Sequence, residues 1–172
     1  MAGKVRNINY IAPTALQQCI RLICIFKAAI MKNEIFKLFV YGSLRSGFRN
    51  PIYNYLTQYF HLIGEAVVKG QFYDKGEYPV ALPTENEHFI SGELYEVNSA
   101  EEFSWAIEQL DDYEGLNVLP GETPLYKRDL VQAYQDGVPV KAWIYWYNHS
   151  VEHMPAIQTG DVLKYLHEKN KP

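Results

Sequence analysis

The chain has 172 residues, 48% of them hydrophobic and 21% charged, with a formal net charge of −4 at pH 7. That length supports one domain with a real core, and that balance belongs to globular rather than disordered chains. The acidic net charge leaves no nucleic-acid footprint, and the two cysteines, Cys19 and Cys24, have neither metal nor redox spacing, so a disulfide scaffold is excluded and a reducing, cytoplasmic compartment is expected.

Residues 1–30 carry Lys4, Arg6, Arg21 and Lys27 and no acidic residue. The apolar stretch from Leu16 to Ile30 is interrupted by Gln17, Gln18, Arg21 and Lys27, too short and too charged to span a membrane. It also lacks the small-residue cleavage site of a signal peptide. Two readings stand: a basic amphipathic helix for a membrane surface or an organelle, or a non-core leader and start-site artefact. In the second, the chain starts at Met31 and the domain is 31–172.

Ile35 to Val40 is an apolar run that reads as a buried strand. It breaks at Tyr41-Gly42-Ser43-Leu44, where Gly42 permits a sharp turn. Such a turn either joins strand to helix or gathers N–H groups at one spot, able to hold a carboxylate or a developing oxyanion. Asn50-Pro51 predicts a capped helix to about Tyr59. His61 to Tyr73 predicts one or two strands, with Gly64 and Gly70 as bends or bulges. Pro79 and Pro83 confine the extended piece Tyr78–Pro83 to an edge or rim, and His88 to Val97 predicts a further strand.

Ser99 and Glu102 form a capping box ahead of Phe103, Ala106, Ile107 and Leu110, which share one helical face. Gly115 stops that helix. Asp136-Gly137 predicts a hairpin between Tyr126–Tyr134 and Val138–Tyr147. A last helix is predicted from Gly160 to Glu168, with Thr159 as its cap. The sum is an α+β domain: a small, mixed, largely antiparallel β-barrel flanked by short helices. Fourteen tyrosines suit both strand packing and a concave site lined by rings.

Asp111, Asp112 and Glu114 end the helix that Ser99 is expected to cap. Carboxylates there oppose the helix dipole, so stability alone does not choose them. A carboxyl so placed has its protonated form favoured, which suits acid–base work near neutral pH; the plain alternative is a solvated acidic helix end. Ser43 lacks a G-x-S-x-G elbow and no histidine lies close in sequence. His149, Glu152 and His153 match H-x-x-E-H, a zinc pattern that needs a helix. Here the run follows a strand and precedes Pro155, which predicts a surface loop. Tyr145-Trp146-Tyr147 reads as core and barrel wall.

Taken in order, these segments resemble the γ-glutamylcyclotransferase-like family, which includes AIG2-like proteins and γ-glutamylamine cyclotransferases. The resemblance rests on Tyr41-Gly42-Ser43-Leu44; on Phe72-Tyr73-Asp74 with Gly76, Tyr78-Pro79 and Ala81; on Gly92 to Val97; on Leu110-Asp111 through Tyr113-Glu114; on Tyr126 with Arg128; and on Ala142 to Tyr145. It implies a small mixed barrel and an intramolecular aminolysis. In that reaction the α-amine of a γ-glutamyl group attacks its own γ-carbonyl, releasing 5-oxoproline and an amine or amino acid.

The resemblance implies Glu114 as general acid/base and the N–H groups around Gly42, Ser43 and Leu44 as the cradle. It also implies a hydrogen bond from Tyr126 to the glutamyl moiety and Tyr78 on the amine side. Arg128 either shares in the site or pairs with an acidic neighbour, and Asp111 or Asp112 could tune Glu114. No cofactor or metal is implied, because the nucleophile belongs to the substrate; the partner is a small γ-glutamyl compound, with no nucleic acid and no membrane span. Two other readings compete: a non-catalytic binding protein of the same fold, and a metal-dependent hydrolase using His149, Glu152 and His153.

Overall fold

Five strands close into a ring in the computed structural model, in the order β2-β4-β1-β6-β5 and back to β2. They are β1 (Lys37–Val40), β2 (Phe60–Asp74), β4 (Phe89–Val97), β5 (Tyr126–Gln135) and β6 (Val138–Tyr147). Two short strands, β3 (Pro79–Pro83) and β7 (Ala156–Ile157), extend the long β2. Every pairing is antiparallel except β1 with β6, where Leu38 stands opposite Trp143. The helices are α1 (Pro51–Tyr59), α2 (Phe103–Tyr113) and α3 (Val162–Lys169).

The structure describes residues 17–18, 20–21, 35–48 and 50–171, and the chain divides into the units Met1–Glu34 and Ile35–Pro172. The expectations for a surface-active helix or leader over 1–30, and for a start at Met31, lie outside the described residues. Among those described, no helix is long and apolar enough to cross a membrane.

Alternation along β1 builds two cores from one strand. Leu38 and Val40 face one way, packing with Leu56 of α1 and with Ala106, Ile107 and Leu110 of α2. Phe39 faces the other way, toward Val68, Phe72, Ile90, Leu94, Ile144 and Trp146, with Val162 of α3 at the border. The strand can lie this close to β4 only because residue 92 has no side chain: a Cβ at Gly92 would sit 2.3 Å from the carbonyl oxygen of Val40 and 2.5 Å from the Phe39 ring. The segment Tyr145-Trp146-Tyr147 is buried, as its composition implied.

Local signals set several boundaries. Asn50 caps α1 by accepting from the Ile52 N–H at 3.1 Å, with Pro51 at the first helical position. Asp136 and Gly137 both take left-handed backbone, φ 50° and 79°, at the β5–β6 turn. The sheet register shifts at Gly64, whereas Gly70 keeps regular pairing and lies under Trp146, so it is a packing position and not a bend.

Two caps differ from expectation. Ser99 makes no side-chain cap bond: its hydroxyl donates to Glu101, and it stands at the head of a 3₁₀ turn over Ala100–Glu102 that precedes α2. Thr159 is likewise displaced as the cap of α3 by Asp161, whose carboxylate accepts from the Leu163 and Lys164 N–H groups while Thr159 supports the Asp161 N–H. At its far end α3 is pinned to β2, because Asp74 accepts from Tyr165 and Lys169 at 2.6–2.9 Å. Led by the Lys169 hydrogen bond, these contacts hold the Asp74 carboxyl down at about 2.

Gly92→Ala should therefore cost about 2–3 kcal/mol, as over-packing against a fixed backbone does; urea denaturation measures it.

Candidate active site

The turn after β1, the end of α2 and the start of α3 meet around one cavity of about 510 Å³. Tyr41, Gly42, Ser43 and Leu44 form one side, Tyr113, Glu114 and Gly115 another, and Tyr126 and Tyr145 a third. Glu77, Tyr78 and Pro79 line it from the β3 side, and Val162 and Leu166 from α3. The structure thus brings together all seven residues singled out as catalytic or substrate-binding: Tyr41, Gly42, Ser43, Leu44, Tyr78, Glu114 and Tyr126.

Glu114 is placed by how α2 ends. The Gly115 N–H bonds the Asp112 carbonyl at 3.2 Å and the Leu116 N–H bonds the Asp111 carbonyl at 2.9 Å. This is the Schellman closure, and it needs a left-handed residue after the cap, which Gly115 supplies at φ 71°. Leu116 then packs into the core beside α2. The cap residue itself is Glu114, and no described residue gives its carboxyl a hydrogen bond or ion pair. Burial alone raises its pKa from the usual carboxylate range to about 7. Desolvation, rather than the helix dipole, is the cause.

The turn from Tyr41 to Ser46 is closed by a hydrogen bond from the Arg45 N–H to the Gly42 carbonyl, 2.9 Å. The N–H groups of Gly42, Ser43 and Leu44 find no acceptor among the described residues, and all three residues line the cavity. Gly42 does not take left-handed backbone, and a Cβ there would meet no protein atom within 4 Å. Its bareness is therefore no requirement of the turn: a Cβ would meet open space at a residue that lines the cavity. No histidine lines the cavity, so nothing described there could serve Ser43 as an imidazole base.

The tyrosines divide by partner. Tyr41 donates its hydroxyl to the Tyr145 carbonyl at 2.5 Å. Burial, then the charges of Tyr126 and Glu114, pushes its pKa well above 10. The Tyr126 hydroxyl has no partner among the described residues, and burial and Glu114 push it up as well. Tyr78 accepts from Lys75 at 2.8 Å, and that ammonium stands over the Tyr78 and Tyr147 rings.

Arg128 resolves toward structure. Its guanidinium lies 3.3 Å from Asp111 and over the Trp143 ring. Asp111 also accepts from the Tyr145 hydroxyl at 2.7 Å, tying α2 to β6 directly behind Glu114. Asp112 instead bonds Asn117. The H-x-x-E-H run lies in the loop between β6 and β7, without the helical face that the zinc pattern needs.

One cluster escaped sequence reasoning. Glu93 and Arg45 are the charged residues of the described core, 6% and 5% exposed. Glu93 accepts from the Ser46 N–H at 3.1 Å, the Ser46 hydroxyl at 2.5 Å and the Tyr95 hydroxyl at 2.8 Å. The available signal was a glutamate inside a strand whose neighbours, Gly92, Leu94 and Tyr95, are all small or apolar-bodied.

Comparison with known proteins points one way. Residues 38–164 match the family model described as gamma-glutamyl cyclotransferase, AIG2-like. The gamma-L-glutamyl-butirosin B gamma-glutamyl cyclotransferase of Niallia circulans is 36% identical over 121 residues, 69% of this chain and 72% of that one. The gamma-glutamylcyclotransferase family protein YtfP of Escherichia coli is 30% identical over 128 residues, 74% of this chain and 96% of that one. Its solution structure superposes with a TM-score of 0.50, at 28% identity over 75% of this chain and 97% of that one. YkqA from Bacillus subtilis gives a TM-score of 0.55 at 28% identity over 78% of this chain; the match spans 42% of that longer chain.

A carboxyl whose pKa is raised on folding destabilises the fold as pH rises from the ordinary glutamate value, about 4.3, toward 7. Glu114→Gln should thus be more stable than the parent at pH 8, by at most about 3–4 kcal/mol. Below pH 4 that gain should vanish; melting curves across this range check it.

Proposed function

Since the chain belongs to the gamma-glutamyl cyclotransferase, AIG2-like family, and is therefore a cyclotransferase, we propose that its cavity closes a γ-glutamyl group into 5-oxoproline and releases an amine or amino acid. The observation that carries this reading is the placement of an unpartnered carboxyl, poised at about 7, in the same cavity as three unengaged N–H groups.

The chemistry asks for both. A free α-amino group has a pKa of about 7.7–8.0, so at neutral pH it must lose a proton before it can attack. Glu114 takes that proton as the nitrogen bonds to the γ-carbonyl carbon. The tetrahedral intermediate carries its negative charge on the former carbonyl oxygen. When the amide C–N bond breaks, Glu114 returns the proton to the departing nitrogen; the ring nitrogen then sheds its second proton through the same carboxylate, the released amine takes it up as ammonium, and no other reactant is needed. A base poised at about 7 serves both steps, since it neither holds nor refuses a proton strongly at neutral pH.

The N–H groups of Gly42, Ser43 and Leu44 form the cradle for the substrate's carboxylate or the developing oxyanion. Ser43 takes part through its backbone and is not a nucleophile. The Tyr126 hydroxyl is free to bond the glutamyl moiety. Tyr78, already accepting from Lys75, has its own proton left to donate on the amine side. Tyr41 spends its hydroxyl on the Tyr145 carbonyl and so contributes a wall. The substrate must fold back on itself, and the cavity lowers the barrier partly by holding it folded. We place this reaction in a reducing, cytoplasmic setting, consistent with a sequence free of cysteine from residue 25 onward.

A panel of γ-glutamyl compounds, assayed for 5-oxoproline by mass spectrometry, should show turnover with at least one member. Glu114→Gln should then lower kcat at least about 10³-fold while the variant stays folded; undiminished turnover would remove Glu114 from the mechanism. In the parent enzyme kcat/KM should climb with an apparent pKa of about 7, because the base acts only once ionised. Gly42→Ala should leave stability near that of the parent and reduce kcat/KM, since the added methyl stands in the cavity and not against the protein.

A further inference from the structure

We propose that Glu93 is a positioning residue for the N–H cradle: its buried carboxylate clasps Ser46 and thereby fixes the turn that carries Gly42, Ser43 and Leu44. This inference rests on the cyclotransferase reading of the cavity.

The geometry is directional. Glu93 stands on β4 opposite Val40 of β1, and Val40 is the last strand residue before the turn. Its two oxygens divide the work. One accepts from the Ser46 hydroxyl; the other accepts from the Ser46 N–H and the Tyr95 hydroxyl. The turn is therefore held at both ends, by the β1 ladder before Tyr41 and by a carboxylate at Ser46. Between those anchors the Arg45 N–H closes the turn on the Gly42 carbonyl.

Burying such a charge without a partner is costly, and a clasp of two neutral groups would hold a turn more cheaply. The compensating charge is Arg45, whose Nε lies 3.9 Å from the Glu93 carboxylate and whose Nη1 lies 3.4 Å from Asp161. Asp161 is the cap of α3, and α3 supplies Val162 and Leu166 to the cavity wall. One chain of charges, buried at Glu93 and Arg45 and exposed to solvent at Asp161, thus links the cradle to the opposite wall. Charged hydrogen bonds are shorter and stiffer than neutral ones, and catalytic groups displaced by about 1 Å lose about 10²-fold in rate. A carboxylate in this position gains precision for the cradle that the turn's own hydrogen bond does not provide.

The test compares Glu93→Met, which keeps bulk and removes both acceptors, with Ser46→Ala and Ser46→Thr, which leave the Arg45–Glu93 charges intact. Glu93→Met should lower kcat/KM about 10²-fold and Ser46→Ala about 10-fold, while Ser46→Thr recovers most of that loss. In every variant the apparent pKa of about 7 in the pH profile should stay in place, because the clasp acts on the cradle and not on Glu114.

Amide hydrogen exchange reads the same effect without turnover. The Arg45 N–H, bonded to Gly42 and not to Glu93, should exchange at least about ten times faster in Ser46→Ala, while β2 and β4 amides keep their protection. Parent-like kcat/KM and parent-like Arg45 exchange in folded variants would overturn the proposal, as would a rate loss accompanied by a moved pKa. If Glu93→Met fails to fold, Ser46→Ala carries the test alone. An inactive parent with every γ-glutamyl compound would overturn the reading of the cavity instead, and the exchange measurement would still decide the role of Glu93.

Discussion

Closure of the ring through β2 and β5 is the constraint on which the rest of this structure hangs. Within that ring β1 lies between β4 and β6, with a neighbour on each edge. A four-residue strand so enclosed has no freedom at its end, and the chain must leave it in one direction. The turn that follows inherits that rigidity, which is what a cradle of N–H groups requires. The same closure puts Asp111 of α2 against Tyr145 and Arg128 of the β5–β6 hairpin. The helix end that carries Glu114 is thereby held to the wall of the barrel.

Much of this was legible because the signals are local. Asn50-Pro51 and Asp136-Gly137 encode their structures in two residues each, through a cap and a turn that need no distant partner. Glu114-Gly115 is similar: a left-handed closure after Gly115 fixes which residue caps α2. The order of Tyr41–Leu44, Gly92–Val97, Glu114 and Tyr126 made the family resemblance visible without any distance being known.

What sequence reasoning missed depends on competition across space. Ser99 and Thr159 are both sound caps by composition, yet Glu101 engages the first and Asp161 replaces the second. Glu93 looks like an ordinary outward-facing strand residue until Arg45 and Ser46, separated from it by more than forty positions, arrive to meet its charge. Gly42 was read as a conformational need, whereas its backbone is ordinary and its value lies in the space it leaves. The reason for the raised Glu114 pKa also shifted: a helix dipole is readable from sequence, but the loss of water that dominates requires the cavity walls.

A carboxyl that titrates near neutrality in this cavity also makes ligand binding a proton-exchange event. In the proposed reaction, the ammonium of a γ-glutamyl compound beside Glu114 favours the ionised carboxylate. Part of the protein population holds a proton there at pH 7, and that fraction must shed it as the ligand enters. The heat of binding would then contain the ionisation enthalpy of whatever buffer accepts the proton. Affinity would tighten as the solution becomes more basic, up to the point where the ligand's own ammonium begins to discharge.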